Sequence, residues 1–172
     1  MKATPRTAHS IARSIADFKL KPHVFPPDMV ILQDTREQCG LFTGRLPKGC
    51  TVRSEKLDNG DYSLLGHTDT FAIERKGISD LLSYLTSERD RTLAKMKRFA
   101  KMEFVGLVVE VQRESELYRP YLFSAISPEL VRQCLISFQI RYNIHVYVGN
   151  RENITRMCLD WMIKYHKVKR EL

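Results

Sequence analysis

The stretch that most constrains this chain is residues 105–111, VGLVVEV, where apolar side chains occupy both odd and even positions. Successive side chains of a strand point to opposite faces, so such a run needs a sheet covered on both sides, as parallel sheets are. The flanking sequence supplies the cover. Apolar residues recur at three- and four-residue spacing from Ile78 through Leu81, Leu82, Leu85, Leu93 and Met96 to Phe99, predicting one long helix. A second helix is marked by Leu130, Val131, Cys134, Leu135 and Phe138, and a third by Ile154, Met157, Cys158, Trp161, Met162 and Tyr165. Further strands are expected at Met29–Leu32, 50–57, 62–65, Thr70–Glu74 and Ile144–Val148. Asn59-Gly60 predicts a hairpin joining 50–57 to 62–65. The expectation is a doubly wound α/β fold with a mixed central sheet flanked by helices. At 172 residues the chain suits one domain, and it has no internal repeat.

Charge adds a direction. The net charge of +8 sits in two segments. Residues 1–27 carry five bases against Asp17, and residues 88–102 carry six bases against Glu88 and Asp90. The first reads as a basic, flexible N-terminal arm with a short amphipathic stretch through Ile11, Ile15 and Phe18; residues 28–172 form the folded domain. The alternative for the arm is a solvated tail without function. A polyanionic partner fits this pattern better than a small neutral substrate. No apolar run approaches the roughly 18 residues that span a bilayer, and no signal-peptide segment opens the chain, so an intracellular, membrane-free protein is expected. Cys39, Cys50, Cys134 and Cys158 are scattered without zinc-ligand spacing and are expected as free thiols.

Into this basic background the sequence sets a group of acids. Glu74 and Lys76 are two apart in a strand and share a face, and Asp61 on a neighbouring hairpin strand would lie opposite them. Two carboxylates supply hard oxygen ligands for Mg²⁺ and leave coordination positions for water and a phosphate oxygen. A nearby lysine would orient that water or stabilise developing charge. On its own the pattern is more readily a surface salt bridge.

The wider context decides between them. Gly60-Asp61-Tyr62, followed by Glu74-Arg75-Lys76-Gly77-Ile78-Ser79-Asp80 and preceded by Asp34-Thr35-Arg36-Glu37, resembles the nuclease domain of the XPF-type structure-specific endonucleases, with their GDY and ERKxxxD motifs. The likeness continues through Arg91, Lys95 and Arg98, where the family pattern is Arg-x-x-x-Gln-x-x-Arg, through Glu110, and into HVYVGNRENI, covering roughly residues 28–168. The resemblance implies a restriction-endonuclease-like nuclease core. It further implies that Asp34, Asp61, Glu74 and Lys76 are catalytic, and that Asp61, Glu74 and the Arg75 carbonyl hold Mg²⁺, with Mn²⁺ able to substitute. Arg36 and Asp80 would support the site or grip phosphate, and Arg91, Lys95 and Arg98, on one helix face, would contact phosphate. Each has a plainer role available: Asp80 at a helix N-terminus, Arg36 paired with Glu37 or Glu74, and Glu110 as a satisfied edge residue.

The expected activity is hydrolysis of phosphodiester bonds in branched or junction-containing DNA, in repair, recombination or replication. A catalytically silent DNA-binding or scaffolding subunit is the alternative, and an RNA-directed protein a third, for which no aromatic stacking motif is present. Family members usually append a helix-hairpin-helix module, for which no room follows residue 168; the arm is expected to add a sequence-independent grip in its place. A homodimer or protein partner would use the C-terminal helices through Trp161, Met162 and Tyr165, unless that stripe packs on the sheet.

Overall fold

The computed structural model describes residues 22–43, 48–121 and 125–171. Six strands form one mixed sheet: β1 (Val30–Asp34), β2 (Thr51–Glu55), β3 (Tyr62–Leu64), β4 (Phe71–Gly77), β5 (Phe104–Glu110) and β6 (Ile144–Gly149), in spatial order β2-β1-β3-β4-β5-β6. The helices are α1 (Ile78–Leu85), α2 (Arg89–Phe99), α3 (Pro128–Tyr142) and α4 (Arg151–Glu171), with a 3₁₀ turn at Glu114–Tyr118. β4, β5 and β6 are parallel, as a doubly wound α/β sheet requires, and β3 runs antiparallel to both β1 and β4.

The alternation within VGLVVEV divides the core in two. Val105, Leu107 and Val109 join Ala72 beneath α1, α2 and α3. Val108 joins Phe71 and Ile73 beneath α4, whose Ile154, Cys158 and Met162 are buried against them. Each of the Val, Leu, Ile, Phe and Met side chains among them contributes roughly 1.5–3 kcal/mol on burial. Gly106 belongs to the α4 face because the Trp161 ring lies there: a Cβ on residue 106 would come within 2.4 Å of it. The stripe of Trp161, Met162 and Tyr165 is therefore spent on the sheet. Met162 is fully buried, and Tyr165 packs on Phe71 while its hydroxyl donates to Glu103.

Two expectations about local structure are corrected. Segments 50–57 and 62–65 do not form a hairpin. β2 pairs parallel with β1 at the sheet edge, and β3 pairs on the other side of β1. The Asn59-Gly60 turn instead carries the chain across β1. Gly60 has φ +74°, and a Cβ there would meet the Ile73 carbonyl at 2.8 Å, so the turn needs glycine both for its backbone and for its close approach to β4. The antiparallel hairpin is β3–β4, joined through residues 65–70. The single long helix is also broken. After Leu85 the next apolar position of the pattern is Leu93, and the chain turns at Thr86, whose N–H bonds the Ser83 carbonyl, before α2 begins.

Other boundaries follow local chemistry. Ser127 caps α3, its Oγ accepting from the Leu130 N–H, with Pro128 in the first turn. Asn143 ends that helix in the left-handed conformation. Residues 22–27, assigned to the arm from sequence, run beside α4: His23 bonds Asp160 and Phe25 packs against the α4 core. The rest of the arm, residues 1–21, lies outside the described residues. All four cysteines are free. No helix among the described residues is long and apolar enough to cross a membrane.

Candidate active site

The C-terminal half of β4 carries Glu74, Arg75 and Lys76, and the pleat separates them. Glu74 and Lys76 fall on the face covered by α1, α2 and α3, with Arg75 on the α4 face. Asp61 reaches the same place from the residue preceding β3. Its N–H donates to the Ile73 carbonyl (2.8 Å), and its Oδ2 accepts the Arg75 N–H (2.7 Å). The carboxylates of Asp61 and Glu74 are thus set side by side by the β3–β4 ladder. Tyr62, the third residue of the GDY motif, is fully buried and takes no place in the cleft; its hydroxyl accepts the Leu41 N–H and fixes the loop after β1.

The electrostatics are those of an unfinished site. Glu74 is wholly buried. Lys95 Nζ donates to its Oε2 at 2.6 Å, and Lys76 Nζ lies 2.8 Å from Oε1 without hydrogen-bond geometry, so Oε1 remains a buried oxygen with no hydrogen bond. Burial and then the Glu74 charge push the Asp61 carboxyl up to about 7. For Lys76, burial disfavours the ammonium, but Glu74, then Asp61 and Asp80, outweigh it and raise its proton affinity. Its Nζ also sits 5.0 Å over the Tyr84 ring. A buried glutamate and a half-buried aspartate that repel one another fit a hard divalent cation. Among the described residues no three His, Cys, Asp or Glu side chains gather as a metal-holding group. The pair would need backbone carbonyl and water to complete six ligands.

Asp34 is differently placed. It is 2% exposed, and its two oxygens accept four hydrogen bonds, from the N–H, Nε and Nη2 of Arg36 and from the Leu57 N–H. The Arg36 guanidinium, against the cost of burial and with help from the two backbone donors, holds the carboxyl down at about 2. Its lone pairs are filled, so Asp34 anchors Arg36 at the mouth of the cleft rather than offering a free ligand oxygen. Arg36 pairs with Asp34 and with the Leu57 carbonyl, not with Glu37 or Glu74.

These groups line a cleft of about 310 Å³ together with Tyr84, Glu88, Arg91, Lys95 and Arg98. Arg91, Lys95 and Arg98 do share a face, as their spacing predicts, but Lys95 turns inward onto Glu74 instead of outward toward a ligand. Asp80, in the first turn of α1, is exposed and acts on Lys76 only as a charge. On the opposite face the Arg75 side chain joins Glu37 and Glu110, and Arg151 reaches Glu110 and the carbonyls of Cys39 and Gly40. Glu110 is therefore a satisfied residue, at the C-terminal end of the interior strand β5 rather than on an edge strand. Tyr84 was not anticipated. It lies on the apolar stripe of α1, which reads as core, yet its buried hydroxyl has no partner and its ring supports Lys76.

Comparison with known proteins bears on the family and the fold. No curated protein sequence matches the chain. XPF from Aeropyrum pernix has the same fold, with a TM-score of 0.60 and 19% identity over 80% of this chain. The structure of XPF from Aeropyrum pernix in complex with DNA gives 0.53 and 19% over 81%. This chain spans 65% and 66% of the length of those chains. The ERCC4 domain matches residues 33–154, which include every motif of the cleft. The chain belongs to the ERCC4 domain family, and its mixed six-stranded sheet is the XPF nuclease fold.

Proposed function

We propose that this chain is a divalent-metal-dependent DNA endonuclease that hydrolyses phosphodiester bonds in branched or junction-containing DNA. The observation that carries the reading is the pairing of half-buried Asp61 with buried Glu74 beside Lys76, at the floor of a cleft rimmed by Arg36, Arg91 and Arg98. The DNA complex of Aeropyrum pernix XPF supports the choice of substrate. Asp61, Glu74 and the Arg75 carbonyl would hold Mg²⁺, or Mn²⁺ in its place. Bound there, the ion supplies Lewis-acid charge to the phosphate and to the attacking water.

The protein's own contributions follow from placement. Lys76, held between Glu74 and the Tyr84 ring, keeps an ammonium at the floor of the cleft to orient water or meet developing negative charge. Asp34 fixes Arg36, whose side chain is 69% exposed, so that its guanidinium stands at the mouth without losing rotamer freedom on binding. Arg91 and Arg98 grip phosphate on the α2 side, and Asp80 reinforces the charge of Lys76.

The test is a panel of end-labelled flap, fork, four-way-junction and linear DNAs incubated with Mg²⁺ or Mn²⁺. Glu74→Ala and Lys76→Ala are each expected to lower cleavage by at least about 10³-fold, on the scale of lost transition-state electrostatics, with DNA binding retained. Cleavage unchanged in both variants overturns the reading. A second reading, a catalytically silent DNA-binding or scaffolding subunit, draws on one observation: both Glu74 oxygens already face lysines. Its signature is binding across the panel without metal-dependent cutting.

A further inference from the structure

The two lysines on Glu74 are not equivalent. Lys76 extends from the same strand two residues away, and its 2.8 Å approach to Oε1 lacks hydrogen-bond geometry. Lys95 comes from a separate element, α2, and makes the one directional bond that Glu74 receives, at 2.6 Å to Oε2. Ring contact and exposure do not separate the two, since Lys95 lies 5.4 Å over Phe99 and is 23% exposed while Lys76 lies 5.0 Å over Tyr84 and is 21% exposed; the difference is the element each comes from and the bond each makes. It stands where the family pattern carries a neutral glutamine.

A carboxylate buried without a counter-charge is costly, and a cation placed on it offsets that cost. A divalent ion on either oxygen of Glu74 meets the repulsion of this ammonium at short range, and one that uses Oε2 also competes for the oxygen that Lys95 holds. We infer that Lys95 is a built-in counter-ion of Glu74, which offsets its charge in the metal-free site and which opposes an incoming divalent cation, so that this residue sets how tightly the site holds its metal. The inference rests on the metal-dependent reading above. It also accounts for the lysines that favour the silent reading: one of them is a placeholder.

The experiment measures Mn²⁺ alone, on the full chain without DNA, by electron paramagnetic resonance of the free ion and by the shift in melting temperature. Lys95→Gln is expected to tighten Mn²⁺ binding at least tenfold and to enlarge the metal-induced melting shift relative to wild type. Lys95→Arg, which keeps the charge, is expected to stay within about threefold of wild type. Lys95→Met repeats the neutral substitution without an amide, should the glutamine variant fold poorly. Glu74→Ala is expected to abolish the gain in a Lys95→Gln background. Equal or weaker Mn²⁺ binding in both neutral variants, with wild type binding measurably, overturns the inference alone. Absence of Glu74-dependent Mn²⁺ binding in wild type and neutral variants alike overturns the metal reading and the inference with it.

Discussion

The two faces of β4 present the same kinds of side chain in opposite states of completion. On the α4 face, Arg75 is closed in by Glu37 and Glu110, Glu110 is shared with Arg151, and Arg151 bonds two loop carbonyls. On the face of α1 to α3, Asp61 and Glu74 repel each other, Oε1 of Glu74 has no hydrogen bond, and the Tyr84 hydroxyl has none either. Consecutive residues of one strand thus divide between a network that spends its charge on stability and a cleft that keeps charge in reserve. Buried polar groups are normally satisfied, and although Gln33 and His166 on the α4 side also hold an unbonded polar atom, only in the cleft do two such groups, Glu74 Oε1 and the Tyr84 hydroxyl, gather around one lysine beside a second carboxylate, which marks that side as the place where a ligand completes the structure.

The contrast breaks most visibly at Arg75. Arg75→Ala leaves Glu37 and Glu110, both largely buried, without their main counter-ion. Breaking such a pair from one side costs about 3–5 kcal/mol in well-buried cases, and with Arg151 still on Glu110 a loss near the lower end is expected in urea denaturation. No measurable loss would mean that the α4 face is not the structural one.

A pH dependence sharpens the other face. The carboxyl of Asp61 is raised to about 7 in the folded protein from an ordinary 3.8, so between those values the folded state holds a proton that the unfolded chain has released. Stability of the metal-free protein is therefore expected to fall as pH rises from about 4 to about 7, and Asp61→Asn to flatten that slope. Asp34, held down at about 2, contributes oppositely: its stabilisation is complete above pH 4 and is lost as the pH falls toward 2. Melting curves of wild type and Asp61→Asn across pH 2–8 separate the effects, and a slope above pH 4 unchanged by Asp61→Asn counts against the repulsion between Asp61 and Glu74.

The smallest effect belongs to the rim. Arg91 and Arg98 are exposed, and each contact with phosphate is expected to release about one counter-ion. Arg98→Ala should weaken DNA binding severalfold on every sequence and reduce the salt slope by about one. An unchanged slope removes Arg98 from the interface.

Much of the site was legible before the fold. The GDY and ERKxxxD motifs, two-residue alternation along β4 and helical spacing of Arg91, Lys95 and Arg98 each place residues correctly, because they depend only on local geometry. The turn at Asn59-Gly60 misled because a local hairpin signal does not say which strand pairs with which; β1 intervenes between β2 and β3. Spacing places Lys95 on the phosphate-facing side of its helix, whereas its contact with Glu74 joins residues 21 apart in sequence and is not readable from spacing. Tyr84 was missed for a related reason. An aromatic on an apolar stripe looks like core until Lys76 is seen above it.

By itself the sequence determined that this protein needs a sheet covered on both faces, that its basic charge gathers in two segments, and that an acidic motif set of XPF type sits between them. Strand alternation, helix period and motif order are properties of neighbouring residues, so they survive without a fold. Only the tertiary structure decided which carboxylates are free. Asp34 is filled by Arg36 and Leu57, Glu110 by Arg75, and Glu74 is left one bond short between two lysines. Hydrogen-bond saturation is settled by groups brought from distant parts of the chain, and it separates the acids that hold the fold from those available to hold a metal.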